Sequence, residues 1–67
     1  MKNKLRDMRK SHQLTQEKLS ELTGVSRQTI ISIESGRFDP SIKLAYKLAK
    51  VFDLTIEDIF LFEEEEM

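Results

Sequence analysis

The sequence predicts an all-α fold of five short helices in a single domain, residues 1–67. Three observations lead there. The two glycines and the one proline (Gly24, Gly36 and Pro40) fall between apolar runs rather than inside them, where breakers of regular structure belong. Between them, apolar residues recur every three or four positions, the spacing of one face of a helix. Hydroxylated or acidic residues able to cap a helix stand at the openings of helices two to five.

Helix one is expected from Lys2 to Ser11, with Leu5 and Met8 facing inward and Arg9 beside them. Helix two opens at Thr15, a capping residue, and carries Glu17 in its first turn, where the helix dipole favours an acid. Leu19 and Leu22 form its expected inner face, and Gly24 ends it in a left-handed conformation. Val25 anchors the turn, and Ser26 caps helix three, Arg27 to Glu34. Asp39 or Ser41 caps helix four, whose apolar stripe is Leu44, Ala45, Leu48, Ala49 and Phe52. Pro40 stands near that opening, where a missing N–H costs little. Phe38 is read as a packing anchor under the preceding loop, and His12 as a solvated residue at the end of helix one. Thr55 and Asp58 form a capping box that starts helix five, with Ile56, Ile59 and Phe60 as its apolar residues. Residues 61–67 form an acidic C-terminal segment. The alternation Phe60-Leu61-Phe62 is compatible with a short strand pairing with Lys2-Asn3-Lys4; the alternative is a frayed acidic tail.

Several classes of function are excluded by composition. The chain has no cysteine and one histidine, so neither a disulfide nor a thiolate or histidine-rich metal site is expected, and no cofactor is. A nucleophile–base pair and a phosphate-binding loop are both missing, which argues against an enzyme. No apolar run approaches the roughly 18 residues of a membrane span, and no hydrophobic signal segment follows Met1 to Lys4. A cytoplasmic protein without a membrane partner is the expectation. Chains this short often gain stability from a partner subunit. The net charge is −1, but it is unevenly spread. Residues 1–50 hold all 11 Lys and Arg against five acids, a net +6, and residues 51–67 hold seven acids and no base, a net −7. A basic face attracts phosphates whatever the total charge.

Residues 15–34 carry the functional signal. Two short helices are joined by a three-residue turn containing glycine, with apolar residues at Leu19, Leu22, Val25, Ile30 and Ile33. That pattern packs two helices at a steep angle and makes the second project its outer face. At about 100° per residue, Arg27, Gln28, Ile31 and Ser32 fall within an arc of about 140°, and Ile30 and Ile33 point the other way. Arginine can bond guanine O6 and N7, glutamine can bond adenine N6 and N7, and an aliphatic side chain can touch a thymine methyl. A merely solvated face would more often be Lys and Glu. For Ile31 a tolerated exposed aliphatic is the competing reading.

The segments LTQEKLSELTGVSRQTIISIESGR and DPSIKLAYKLAKVFDLTIEDIF, within residues 3–60, resemble the Cro/repressor-type, lambda-repressor-like helix-turn-helix family of phage and bacterial regulators. Within that family the chain looks like the small stand-alone dimeric repressors. The resemblance implies a sequence-specific regulator of transcription whose helix three enters the major groove of double-stranded DNA. It implies base contacts from Arg27, Gln28 and Ser32, to which the helix-face reading adds Ile31, and phosphate contacts from Gln16, Ser26, Thr29, Arg37, Ser41 and Lys43. Gln16 would also buttress the recognition helix. Arg9 and Glu34 resemble an ion pair that ties helix one to the end of helix three.

A homodimer on a palindromic site is expected, because one helix reads only a few base pairs. DNA occupies helices two and three, so the C-terminal residues Ile59, Phe60, Leu61 and Phe62 are the expected interface. The competing reading is an antitoxin or adaptor that works through a second protein partner and uses the helix-turn-helix for autoregulation.

Overall fold

The computed structural model describes residues 1–64; the rest of the expected acidic segment, 65–67, lies outside the described residues. Among the described residues there are five α-helices: α1 (Leu5–Ser11), α2 (Gln16–Thr23), α3 (Arg27–Glu34), α4 (Ile42–Val51) and α5 (Ile56–Ile59). A single 3-10 turn, Phe62–Glu64, follows. None of these helices is long and apolar enough to cross a membrane.

Caps set the helix openings. The hydroxyls of Thr15, Ser26, Ser41 and Thr55 each accept the backbone N–H three residues on, satisfying a donor that the first turn leaves without a partner. Ser41 rather than Asp39 therefore caps α4, and Pro40 stands one residue ahead of the cap. Thr55 and Asp58 close a reciprocal box, with Thr55 N–H donating to Asp58 Oδ2 at 2.9 Å and Asp58 N–H to Thr55 Oγ1 at 3.3 Å. The bond from the Thr55 backbone, reinforced by the one to its side chain, holds the exposed Asp58 carboxyl below its ordinary value of 3.8, and Lys4 adds a smaller pull in the same direction.

Every helix contributes to one core. Leu5, Leu19, Ile30, Ile33, Leu48 and Ile59 are fully buried and Phe60 nearly so. Each such side chain is worth about 1.5–3 kcal/mol relative to exposure, so the core holds α3 from beneath.

Three expectations are corrected. Helix α1 starts at Leu5, not Lys2, because the first residues are extended along the C-terminal segment. Asn3 and Phe60 form one isolated antiparallel bridge. Lys4 N–H donates to the Ile59 carbonyl at 2.8 Å and Leu61 N–H to the Lys2 carbonyl at 3.0 Å. The terminal segments thus meet in a single bridge rather than a strand ladder. Phe60 belongs to this extended segment and not to α5. Leu22 does not face inward; it is 52% exposed. The inner face of α2 continues from Leu19 to Thr23, one helical turn on, and Ser20 and Thr23 are buried with their hydroxyls bonded to carbonyls of their own helix. His12 is exposed, with its ring lying edge-on to Phe52 at 4.9 Å.

Candidate nucleic-acid interface

The α2–α3 turn fixes the direction of α3. Gly24 has φ 75, a left-handed conformation that costs a residue with Cβ about 1–2 kcal/mol. Its N–H and that of Val25 both donate to the Ser20 carbonyl, at 2.9 and 3.2 Å, which folds the turn back on the end of α2. Ser26 then starts α3, with its Oγ accepting the Thr29 N–H at 3.1 Å and sharing a 2.9 Å hydrogen bond with the Thr29 hydroxyl. Ile30 and Ile33 are fully buried beneath the helix. Arg27 and Gln28 are exposed on its outer side, and Ile31 and Ser32 are half-buried. Among the described residues the side chains of Arg27, Gln28 and Ser32 have no hydrogen-bond partner. An arginine, an amide and a hydroxyl are thus presented on a rigid helix with their bonding capacity unused.

The far end of α3 is held by the Glu34 carboxylate, whose side chain is fully buried. Arg9 Nε donates to Oε2 at 2.7 Å and Arg9 Nη2 to Oε1 at 3.3 Å. Gln16 Nε2 donates to Oε1 at 3.2 Å, and the half-exposed Arg6 pairs with the same oxygen at 3.6 Å. Arg9 Nη1 donates to the Leu14 carbonyl at 2.8 Å. One carboxylate therefore draws donors from α1 and α2 onto the last turn of α3. The charge is buried but met by charge-assisted bonds, the condition under which a buried ion is tolerated.

Around this core lies a basic rim. Arg6, Lys10, Gln16 and Arg27 line an open polar cleft of about 600 Å³ that reaches from α1 past the opening of α2 to the start of α3. Beyond α3, Gly36 has φ 82, and a Cβ there would come within 3.3 Å of the Met1 carbonyl. Arg37 follows, exposed, with its N–H donating to the Ser32 carbonyl at 3.0 Å. Lys43 is exposed in the first turn of α4, and the Ser41 hydroxyl accepts the Leu44 N–H at 3.2 Å. The hydroxyls of Ser26 and Ser41 are thus engaged in capping, and that of Thr29 is bonded to Ser26. Among the described residues no group of three or more His, Cys, Asp or Glu is placed to hold a metal ion.

A family model, Helix-turn-helix, matches residues 5–59. The chain belongs to the helix-turn-helix family of transcriptional regulators. Its type is that of Cro and the phage repressors, a family of regulators rather than enzymes. It is 61% identical to an uncharacterized HTH-type transcriptional regulator of Methanocaldococcus jannaschii, over 98% of this chain and 100% of that one. It is 48% identical to the uncharacterized HTH-type transcriptional regulator YgzD of Bacillus subtilis, over 97% of this chain and 98% of YgzD. Among solved structures, the restriction-modification controller protein C.AhdI of Aeromonas hydrophila matches with a TM-score of 0.78 and 32% identity, covering 85% of this chain and 86% of that one.

Helix α3 spans Arg27–Glu34 as expected, but two other expectations are revised. Ile59 and Phe60 are enclosed in the protomer's own core, at 0% and 1% exposure, so neither side chain is available to a second subunit. Leu61 is half-buried and Phe62 half-exposed, and Ile42 is 80% exposed nearby, with Ile42 and Phe62 lining one small apolar recess. Phe38 is not buried under its loop. It is 48% exposed and stands against α3. Sequence patterning missed Arg6 and Ile42 and misread Phe38 as buried. Arg6 could have been found one turn from Arg9 and Lys10 on the same helix, while Ile42 and Phe38 carry no periodic signal because both sit at the edges of elements.

Proposed function

We propose that this chain is a sequence-specific transcriptional repressor that binds a palindromic operator as a homodimer, with α3 in the major groove. The observation that carries the reading is the outer face of α3. Arg27, Gln28 and Ser32 stand unpartnered on a helix anchored by Ile30, Ile33 and the Glu34 carboxylate. Arg27 reads a guanine, Gln28 an adenine, and Ile31 a thymine methyl. Gln16, at the opening of α2, bonds a phosphate while its amide braces Glu34. Arg37, Lys43 and the opening of α4 at Ser41 hold the opposite stretch of backbone, with Ser26 and Thr29 near the phosphates. Two subunits meet through Leu61, Phe62 and the neighbouring Ile42. Repression is steric, with the bound dimer blocking polymerase.

On a duplex selected by the protein from random DNA, substitutions in the protein separate reading from grip. Arg27→Ala costs about 1–3 kcal/mol and relaxes preference at one base pair per half-site. Lys43→Ala weakens all sequences alike and lowers the slope of log affinity against log salt. Titrations across a salt series measure both. Equal losses on every sequence from Arg27→Ala would contradict the assigned role of α3.

A second reading, a partner-dependent adaptor, draws on a separate patch where Leu22 and Tyr46 are both more than half exposed. It predicts sequence-selective binding only when a second protein is present.

A further inference from the structure

The loop leaving α3 doubles back on that helix. The N–H groups of Arg37 and Phe38 both donate to the Ser32 carbonyl, at 3.0 and 3.2 Å, so Phe38 is pinned beside the last turns of α3. Its ring is 48% exposed. Together with Ser26, Gln28, Thr29 and Ser32 it lines a recess of about 210 Å³. An aromatic side chain normally buries its large apolar area in a core or an interface. This one instead forms the apolar wall of a recess whose remaining side chains are polar and belong to α3 or its cap. The recess is continuous with the outer face that carries Gln28 and Ser32.

We infer that Phe38 is a specificity-determining residue that packs on the C5-methyl group of a thymine next to the base edge approached by Gln28. The inference rests on the reading of α3 as the groove-reading helix. An amide that bonds adenine N6 and N7 stands against an A·T pair, and the thymine of such a pair presents its methyl in the same groove. A ring beside the amide covers that methyl and removes it from water. Phe38 thereby extends readout from α3 onto the loop, and the adjacent Arg37 keeps the loop close to the phosphate backbone.

Replacement of thymine by deoxyuridine removes only the methyl and tests the contact directly. The duplex recovered by selection is prepared with each thymine replaced singly, and binding is titrated for the parent protein and for Phe38→Ala at one salt concentration. At one thymine per half-site, distinct from the one that Ile31 touches, the replacement is expected to weaken the parent about three- to fivefold, the factor for exposing one methyl-sized group. At that position Phe38→Ala is expected to bind thymine and uracil duplexes equally. Phe38→Leu, which keeps an apolar group, retains part of the preference, and an unchanged thermal midpoint shows that each variant folds. If every replacement weakens the parent and Phe38→Ala by the same factor, the methyl contact is overturned while the reading of α3 stands. If the parent selects no duplex at all, the reading of α3 falls and this inference with it.

Discussion

Single side chains decide how rigidly α3, the proposed reading helix, is held. Glu34 is the most consequential, because its buried carboxylate is shared by Arg9, Gln16 and Arg6. Removing one partner of such a pair strands the other charge. Glu34→Ala is expected to destabilise the fold by about 3–5 kcal/mol, read as a shift in the denaturant midpoint. Replacing both Arg9 and Glu34 by apolar residues of similar volume should cost much less than that, since a buried pair is often no better than good packing. A Glu34→Ala loss below about 1 kcal/mol would mean that the pair is in effect solvated. The resemblance to the family made this pair legible in the sequence, and position beside the apolar stripes made its burial so. The convergence of Gln16 and Arg6 on the same carboxylate was not, because it depends on the angle between helices and not on spacing along any one of them.

At the scale of elements, capping and periodicity were the legible part. Hydroxyls at Thr15, Ser26, Ser41 and Thr55 mark the helix openings, and the buried stripe of α4 follows its sequence pattern. What could not be read was competition between elements. The first residues of α1 were expected to be helical, but they pair with the segment after α5 instead. Leu22 is apolar on a helix of only eight residues, and Thr23 takes the inward place because its hydroxyl is satisfied by the Leu19 carbonyl. Helix α5 is four residues long and depends on its capping box. The Asp58 carboxyl is held below 3.8 by its bonds to Thr55. A depressed folded value stabilises the folded state above the unfolded value, and that contribution disappears as pH falls through the folded one. The box is therefore fully formed at neutral pH and lost progressively below about pH 4. Asp58→Asn is expected to flatten this part of the stability-against-pH curve measured by thermal unfolding. An acid limb identical to the parent's would place the dependence elsewhere.

For the molecule as a whole, the question is how one small domain gains enough contacts to find a site. The proposed two-fold dimer would double the bases read and place two α3 helices one turn of DNA apart, about 34–36 Å. Sequence hydropathy pointed to the C-terminal segment but could not separate core from surface within it. Two residues apart on a continuous strand, the two rings would share a face, but the backbone is extended at Phe60 and enters a 3-10 turn at Phe62, so Phe60 is enclosed while Phe62 is half-exposed. Phe62→Lys is therefore expected to shift the protein to monomer without unfolding it and to weaken operator binding, and sedimentation at micromolar concentration measures this. A dimer that survives the change would move the interface away from the recess bounded by Ile42 and Phe62. The central claim, a dimer reading sequence through α3, is tested most directly by selecting bound duplexes from random DNA at about 150 mM salt, where non-specific phosphate binding is suppressed. Recovery of a palindrome with half-sites about 10 base pairs apart is the predicted result. Folded protein that enriches no sequence, or a single half-site without symmetry, would contradict it.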